Sequence, residues 1–546
     1  MVFSGVSASF RQGQKWRWDG AEGDRVTALC FALVVLVVLV CSATGIIVRA
    51  PVYSDSGYGF MVWDAFRHGA PFNDLYYPDP ADLSKSIAVF ITTWAPGQYL
   101  VPGVLEWLGL DLGLATMLVV TAFSIAGLVG WYMLYRAFGF PARTAMIAMA
   151  ITACTRHFTL PFGFYNGGET LLFGAAPWFL LMVWRLRDAG WIALPALVAG
   201  GLAMIFFKLS GLILAASVIP AAALCGDRAW LKTGTIWKGL IAGLAVAAIG
   251  ILFYVFWFSR GWSVLTAATH TDWFRLVSHG SFALSATWSG AFSFGELGQY
   301  VFLHPGRPLL QSAQIIYYAT LPLAVGSFAF VGWRLRHSHA DYLRFVFLAA
   351  AATLGALVLT WVRGAEVSLE ERHFAPISML LLVGMVHAFM TVRGLLVPAG
   401  FVAVAGLASI YGLASFVSHA RENVHEPLGA RGYRQHILSA EALAYIHTVD
   451  VLAPDGTRPL IVVPSPEIAP EVRTARVMSK HADFEDIDEL MVPAYHGHVS
   501  RLYVFIQKRL VANGKADAIL RSFVDYPRSG WREIPLGSFV CFSNGT

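Results

Sequence analysis

The chain has 546 residues, of which 57% are hydrophobic and 13% charged, with a formal net charge of +5 and a mean hydropathy of +0.60. A soluble domain carries about 25% charged residues, so most of this chain belongs in lipid or in a lipid-embedded core. The basic residues are spread along the chain, which argues against nucleic acid as a partner, and the five scattered cysteines, with no CxxC, suggest neither a zinc site nor a disulfide framework.

Residues 1–25 are polar and form a cytoplasmic N-terminal segment with Arg11, Lys15 and Arg17. Residues 26–48 are continuously apolar, enough to cross a core of about 30 Å at about 1.5 Å per residue. The run is too long for a signal-peptide core and lacks a small-x-small cleavage site, so it reads as a retained first helix. The segment 49–104 follows. Asp55 stands a few residues beyond the first run, among Tyr53, Tyr58, Trp63, Tyr76, Tyr77 and Trp94, the aromatic types that favour a membrane–water interface. A short run at 94–110, broken by Pro96 and Pro102, reads as a re-entrant or interfacial helix.

Further apolar runs lie at 114–135, 145–159, 169–184, 191–207, 209–225, 239–258, 315–333, 345–361, 377–390 and 395–416. They are continuous and do not alternate, which indicates helices and not a β-barrel. The expectation is a mainly α, polytopic protein with about eleven spans over 26–417. One set of short connections holds Arg136 and Arg143, Arg185 and Arg187, Arg228, Lys232 and Lys238, Arg334, Arg336 and Arg344, and Arg393. The positive-inside rule places that set in the cytoplasm. Segments 49–104, 155–168, 259–312 and 363–375 then lie outside, and an odd number of spans puts 418–546 outside too. That tail is richer in charge. A helix at 440–449, strands at 459–463, 503–506 and 538–542, and a helix at 515–523 suggest a small α/β domain. It has no Gly-rich phosphate loop, and no catalytic role is assigned to it.

Taken alone, Asp55 is a solvated loop acid, a helix N-cap or a catalytic base. Its surroundings read D-x-G-Y, then H-G-x-P-F, then W-x-P-G-x-Y-L-x-P leading into apolar sequence. This pattern resembles the first outer loop of the GT-C glycosyltransferases, the membrane superfamily of protein mannosyltransferases, aminoarabinose transferases and related polyprenyl-phosphate-sugar enzymes. The basic-inside alternation, the odd span count and the outer C-terminal domain resemble that superfamily as well. The resemblance implies that Asp55 is catalytic. Many members carry two adjacent acids here, where this chain has Asp55-Ser56, which weakens a metal role for the loop.

Glu169 opens the run 169–184 after Asn166-Gly167-Gly168. It is either an N-terminal helix acid favoured by the dipole or, by resemblance, a second catalytic acid that orients the acceptor or shares a divalent cation with Asp55. Lys208 sits between two apolar runs with almost no polar loop. Either it snorkels to the headgroups or it meets a lipid phosphate at membrane level; the family's Lys-Gly-like step favours the phosphate. Arg372 and His373, in E-E-R-H-F-A-P, resemble a late GT-C element. Arg372 either pairs with Glu366, Glu370 or Glu371 or holds a phosphate bidentately. His304 and Arg307, in H-P-G-R, are candidates to line the donor site. Tyr58, with Trp63, Trp94 and Trp288, offers an aromatic face to a sugar or isoprenoid, or anchors the interface. Asp64, His68, Asp74, Asp79 and Asp82 read as solvated loop residues.

The implied function is transfer of a hexosyl or pentosyl group from a polyprenyl-phosphate donor to a hydroxyl of a lipid, glycan or protein, outside a bacterial inner membrane. Asp55 would be the base of an inverting displacement, with Lys208 and Arg372 on the departing phosphate. A divalent cation is the one cofactor the family pattern allows. Two rivals are a transporter or flippase of lipid-linked sugars and a non-catalytic scaffold presenting the C-terminal domain. Convergence of Asp55, Glu169, Lys208 and Arg372 on one cavity separates the enzyme from both.

Overall fold

The computed structural model describes residues 25–225, 233–261, 273–303, 313–364, 367–479 and 494–544. Among them, nine helices are long and apolar enough to cross a membrane: Arg25–Val48, Leu112–Ala137, Gly168–Leu186, Gly190–Phe207, Thr233–Arg260, Ile315–Leu335, Ala340–Val362, Glu371–Met390 and Leu396–His425. Two shorter apolar helices, Ala142–Cys154 and Gly211–Ala223, account for the other expected runs. The chain is an integral membrane protein. The run read at 145–159 is interrupted: Thr155 adopts an extended conformation between Ala142–Cys154 and Arg156–Gly163. The cause is a crossing helix. A Cβ on Gly412 would lie 2.3 Å from the carbonyl oxygen of Cys154, and Thr159 Oγ1 donates to the Gly412 carbonyl at 3.0 Å. The proline-broken run at 94–110 becomes the eleven-residue helix Gly97–Trp107, too short to span a bilayer.

The first connecting segment is more ordered than its sequence suggests. It contains the helix Ser54–Arg67 and an antiparallel hairpin of β1 (Asp74–Asp79) and β2 (Asp82–Phe90). The C-terminal region holds a five-stranded sheet of β3 (Leu460–Val463), β4 (Arg476–Ser479), β5 (Leu502–Gln507), β6 (Arg532–Leu536) and β7 (Phe539–Asn544), in the order β4-β3-β5-β7-β6. β3 runs parallel to β4 and β5; β7 runs antiparallel to β5 and β6. Successive residues of β3 and β5 enter different cores. Leu460, Val462, Val504 and Ile506 pack on one face, and Ile461, Val463 and Phe505 on the other, so the central strands are apolar on both faces. Leu83 of the hairpin joins the first face, and its N–H donates to the His496 carbonyl at 2.7 Å.

Asp64, read above as solvated, is instead ion-paired: Arg431, 3% exposed, meets Asp64 at 2.6 Å and Glu106 at 2.8 Å. Trp63 Nε1 donates to Glu106 at 2.8 Å. Gly57 lies so close to the C-terminal region that a Cβ would be 2.5 Å from the Pro466 carbonyl oxygen. These contacts fix the helix Ser54–Arg67 between the membrane helices and the sheet.

Candidate active site

Two backbone junctions bring the site together. Tyr53 N–H donates to the Tyr165 carbonyl, and Tyr165 N–H to that of Pro51, each at 3.0 Å. The strand-like pairing aligns the starts of the helices Ser54–Arg67 and Gly168–Leu186. Gly167 has φ +79°, and a Cβ there would meet Gln98 Oε1 at 2.4 Å and Ser56 Oγ at 2.7 Å. Only glycine lets the second helix begin so close to the first.

Asp55 and Glu169 each occupy the first turn of their helix, where the dipole favours a carboxylate. Lys208 follows the last residue of Ala193–Phe207 in an extended conformation. Arg372 lies in the 3-10 turn Glu371–Phe374 that leads into Ala375–Met390. Arg372 Nη1 is 3.0 Å from Glu169 Oε1, and its Nη2 is 3.9 Å from Asp55 Oδ2. Lys208 Nζ pairs with the same Glu169 oxygen, and Glu370 pairs with Arg372. The Arg372 guanidinium also sits 5.8 Å from the centre of the Tyr53 ring. All four residues read from the sequence therefore meet at the ends of their helices. None is in the middle of a span.

Burial raises the Asp55 carboxyl above its ordinary value, although Arg372 opposes the shift and the Trp94 side chain hydrogen-bonds to it. Burial likewise lowers Lys208, against the pull of Glu169. A half-buried base facing a guanidinium can take a proton, and two cations beside it can hold an anion. Glu169 has a different geometry: its side chain is 7% exposed and one oxygen serves both cations. It is placed to anchor Lys208 and Arg372 and not to act as a free base. The same arrangement does not fit a divalent cation. Such an ion needs several uncommitted oxygens, and one placed between Asp55 and Glu169 would lie against Arg372 and Lys208. Among the described residues no three His, Cys, Asp or Glu side chains form a metal-ligand group.

A narrow cavity beside the cations is bordered by Trp131, His157, Glu169, Lys208, Arg372 and Pro376. Trp131 and His157 escaped sequence reading; the one signal was a polar ring nitrogen within or beside an apolar run. The Trp131 indole N–H is buried without a hydrogen-bond partner among the described residues. His373 neighbours Arg372, with Nε2 3.3 Å from Ser368 Oγ. Tyr58 is buried and stacked on Trp94 at 4.7 Å, so that face is taken by protein. Trp288 is buried and stacked on Phe294 at 5.7 Å. His304, Arg307 and Glu366 lie outside the described residues.

No protein-family model matches the sequence, and no curated protein matches it. Solved structures do. The chain is similar to ArnT from Cupriavidus metallidurans in the apo state, with 15% identity, a TM-score of 0.51, and 94% of this chain and 98% of that one covered. The same ArnT bound to undecaprenyl phosphate matches with 16% identity, a TM-score of 0.50 and the same coverage. The oligosaccharyltransferase of Archaeoglobus fulgidus tethered with an acceptor peptide matches with 12% identity and a TM-score of 0.44, over 94% of this chain and 74% of that one. The chain shares the fold of ArnT over nearly its whole length.

Proposed function

We propose that this protein is a GT-C glycosyltransferase. It moves a sugar from a polyprenyl-phosphate donor to an acceptor hydroxyl on the extracytoplasmic face of a bacterial inner membrane. The observation that carries the reading is the meeting of Asp55 and Arg372, with Glu169 and Lys208 behind them. The acceptor oxygen bonds to the anomeric carbon as the bond from that carbon to the phosphate oxygen breaks, with inversion. The hydroxyl proton goes to Asp55, and the bonding pair leaves with the phosphate, which Arg372 and Lys208 hold. Asp55 loses its negative charge as the phosphate gains one, so the site's total charge is unchanged during transfer. Burial strengthens Asp55 as a base. A transport reading lacks comparable support, because the charged residues gather at helix ends and not at mid-membrane.

The test is Asp55→Asn in nanodiscs with a panel of polyprenyl-phosphate sugars, scored by released polyprenyl phosphate. A base contributes about 10²–10⁴-fold. Transfer should fall by at least the lower figure while polyprenyl-phosphate binding persists. Near-wild-type transfer would remove Asp55 from the mechanism.

A further inference from the structure

The far end of the Asp55 helix holds a second charged cavity. It lies between Ser54–Arg67, β1 and β4 and is open to solvent, bordered by Asp64, His68, Tyr76, Arg458, Arg473 and Arg476. A cavity of about 860 Å³ shares Asp64, His68 and Arg473 and adds Arg67, Glu106, Asp111 and Arg431. The carboxylates here are already paired. Asp64 and Glu106 hold Arg431, Arg67 reaches Glu106 at 3.2 Å, and Arg49 reaches Asp111 at 3.6 Å.

Three of the arginines are in a different state. Arg458 donates to the carbonyls of Thr474 and Ala475. Arg473 donates to that of Ala430, and Arg476 to those of Leu83 and Lys85 and to Ser86 Oγ. Among the described residues none of the three has a carboxylate at salt-bridge distance. Their backbone acceptors fix the guanidinium groups in place, while Asp450 and Asp64 act on Arg458, and Asp82 on Arg476, only from beyond salt-bridge distance. Burial holds Arg458 and Arg476 below the ordinary guanidinium value, and Arg458 pushes Arg476 further down. Fixed guanidinium groups bordering one cavity are the arrangement that binds a carboxylate or phosphate.

We propose that this cavity is an anion subsite that takes a carboxylate or phosphate group carried on a saccharide, so that the acceptor is an anionic glycan or glycolipid. The acceptor role rests on the transfer reading above; anion binding does not. Asp55 and Asp64 are nine positions apart on one helix, about 13 Å along its axis, so the subsite lies a short oligosaccharide's length from the base.

Full-length protein in nanodiscs is titrated with trigalacturonate, with glucose 6-phosphate and with neutral maltotriose. At least one anionic sugar should bind, and maltotriose should not; which of the two binds tells carboxylate from phosphate. Binding should weaken as salt is raised, and Arg473→Glu, at an exposed position, should weaken it by about tenfold or more with unfolding unchanged. Arg473→Gln should fall between the two. Equal binding of maltotriose, no binding of either anionic sugar, or anionic binding indifferent to Arg473→Glu would overturn the subsite. Asp55→Asn should leave the binding intact. If Asp55→Asn keeps wild-type transfer while the anionic sugar still binds, the base assignment fails and the subsite survives.

Discussion

Replacing Glu169 by Gln removes one negative charge from the point where two positive side chains meet. The Glu169 side chain is 7% exposed and that of Lys208 16%. The loss is unequal for the two cations. Among the described residues Lys208 makes its ion pair with Glu169, whereas Arg372 keeps Glu370 and Asp55. Breaking a buried pair by removing one partner costs about 3–5 kcal/mol, and most of that cost should come from the Lys208 ammonium left without a counter-charge. Glu169→Gln should lower the unfolding free energy by about that amount, and Lys208→Met by less, because Arg372 still faces Glu169 at 3.0 Å. The double variant, with no orphaned charge, should cost at least about 2 kcal/mol less than the sum. The assay is reversible unfolding in mixed micelles over increasing dodecyl sulfate. If the two costs simply add, or if Glu169→Gln unfolds at the wild-type midpoint, this ion pair does not hold the helix ends together.

Four further outcomes follow from the same geometry. As the proposed base Asp55 must be deprotonated, and burial raises its carboxyl above the usual 3.8; the acid limb of the transfer rate should therefore have its midpoint above that value, and a midpoint at or below it would contradict the burial. The folded state holds that proton more tightly than the unfolded one, so the stability Asp55 contributes is greatest below its unfolded value and is lost as pH rises through its folded value; Asp55→Asn should not destabilise the fold at neutral pH. Arg372→Lys keeps the charge but loses the guanidinium fork, and KM for the donor should rise about tenfold with a smaller change in kcat. Gly57→Ala puts a methyl group against the Pro466 carbonyl, which should cost about 1–3 kcal/mol and reduce transfer; wild-type unfolding would mean the junction yields freely.

Much of the fold could be read from the sequence because lipid imposes one simple pattern. Runs such as 114–135 became helices within a turn of their expected ends, since nothing but a helix satisfies an apolar backbone there. The strands at 459–463 and 503–506 were readable for a related reason: a doubly covered strand is apolar throughout. The failures have a common source in partners far away in sequence. Asp64 looked solvated because Arg431 lies 367 positions on. The run at 145–159 looked continuous because its interruption comes from Gly412. Lys208 could be read as snorkelling or as a phosphate ligand, and nothing near it in the chain points to Glu169, 39 positions away, which holds it. The hairpin β1–β2 was missed because polar residues interrupt its apolar ones and most of β2 is exposed, and it docks against the C-terminal sheet at Leu83.

Arg431 joins the start of the chain to its end. It grips Asp64 and Glu106 across 367 and 325 positions, and Gly432 beside it approaches Gly113 so closely that a Cβ on Gly113 would lie 2.0 Å from its carbonyl oxygen. During synthesis both acids leave the ribosome long before their counter-ion exists. The helix Ser54–Arg67 can therefore settle only after most of the membrane helices and the first part of the tail have been made, and a polypeptide that stops before Arg431 leaves Asp64 without its guanidinium partner and Glu106 with Arg67 alone.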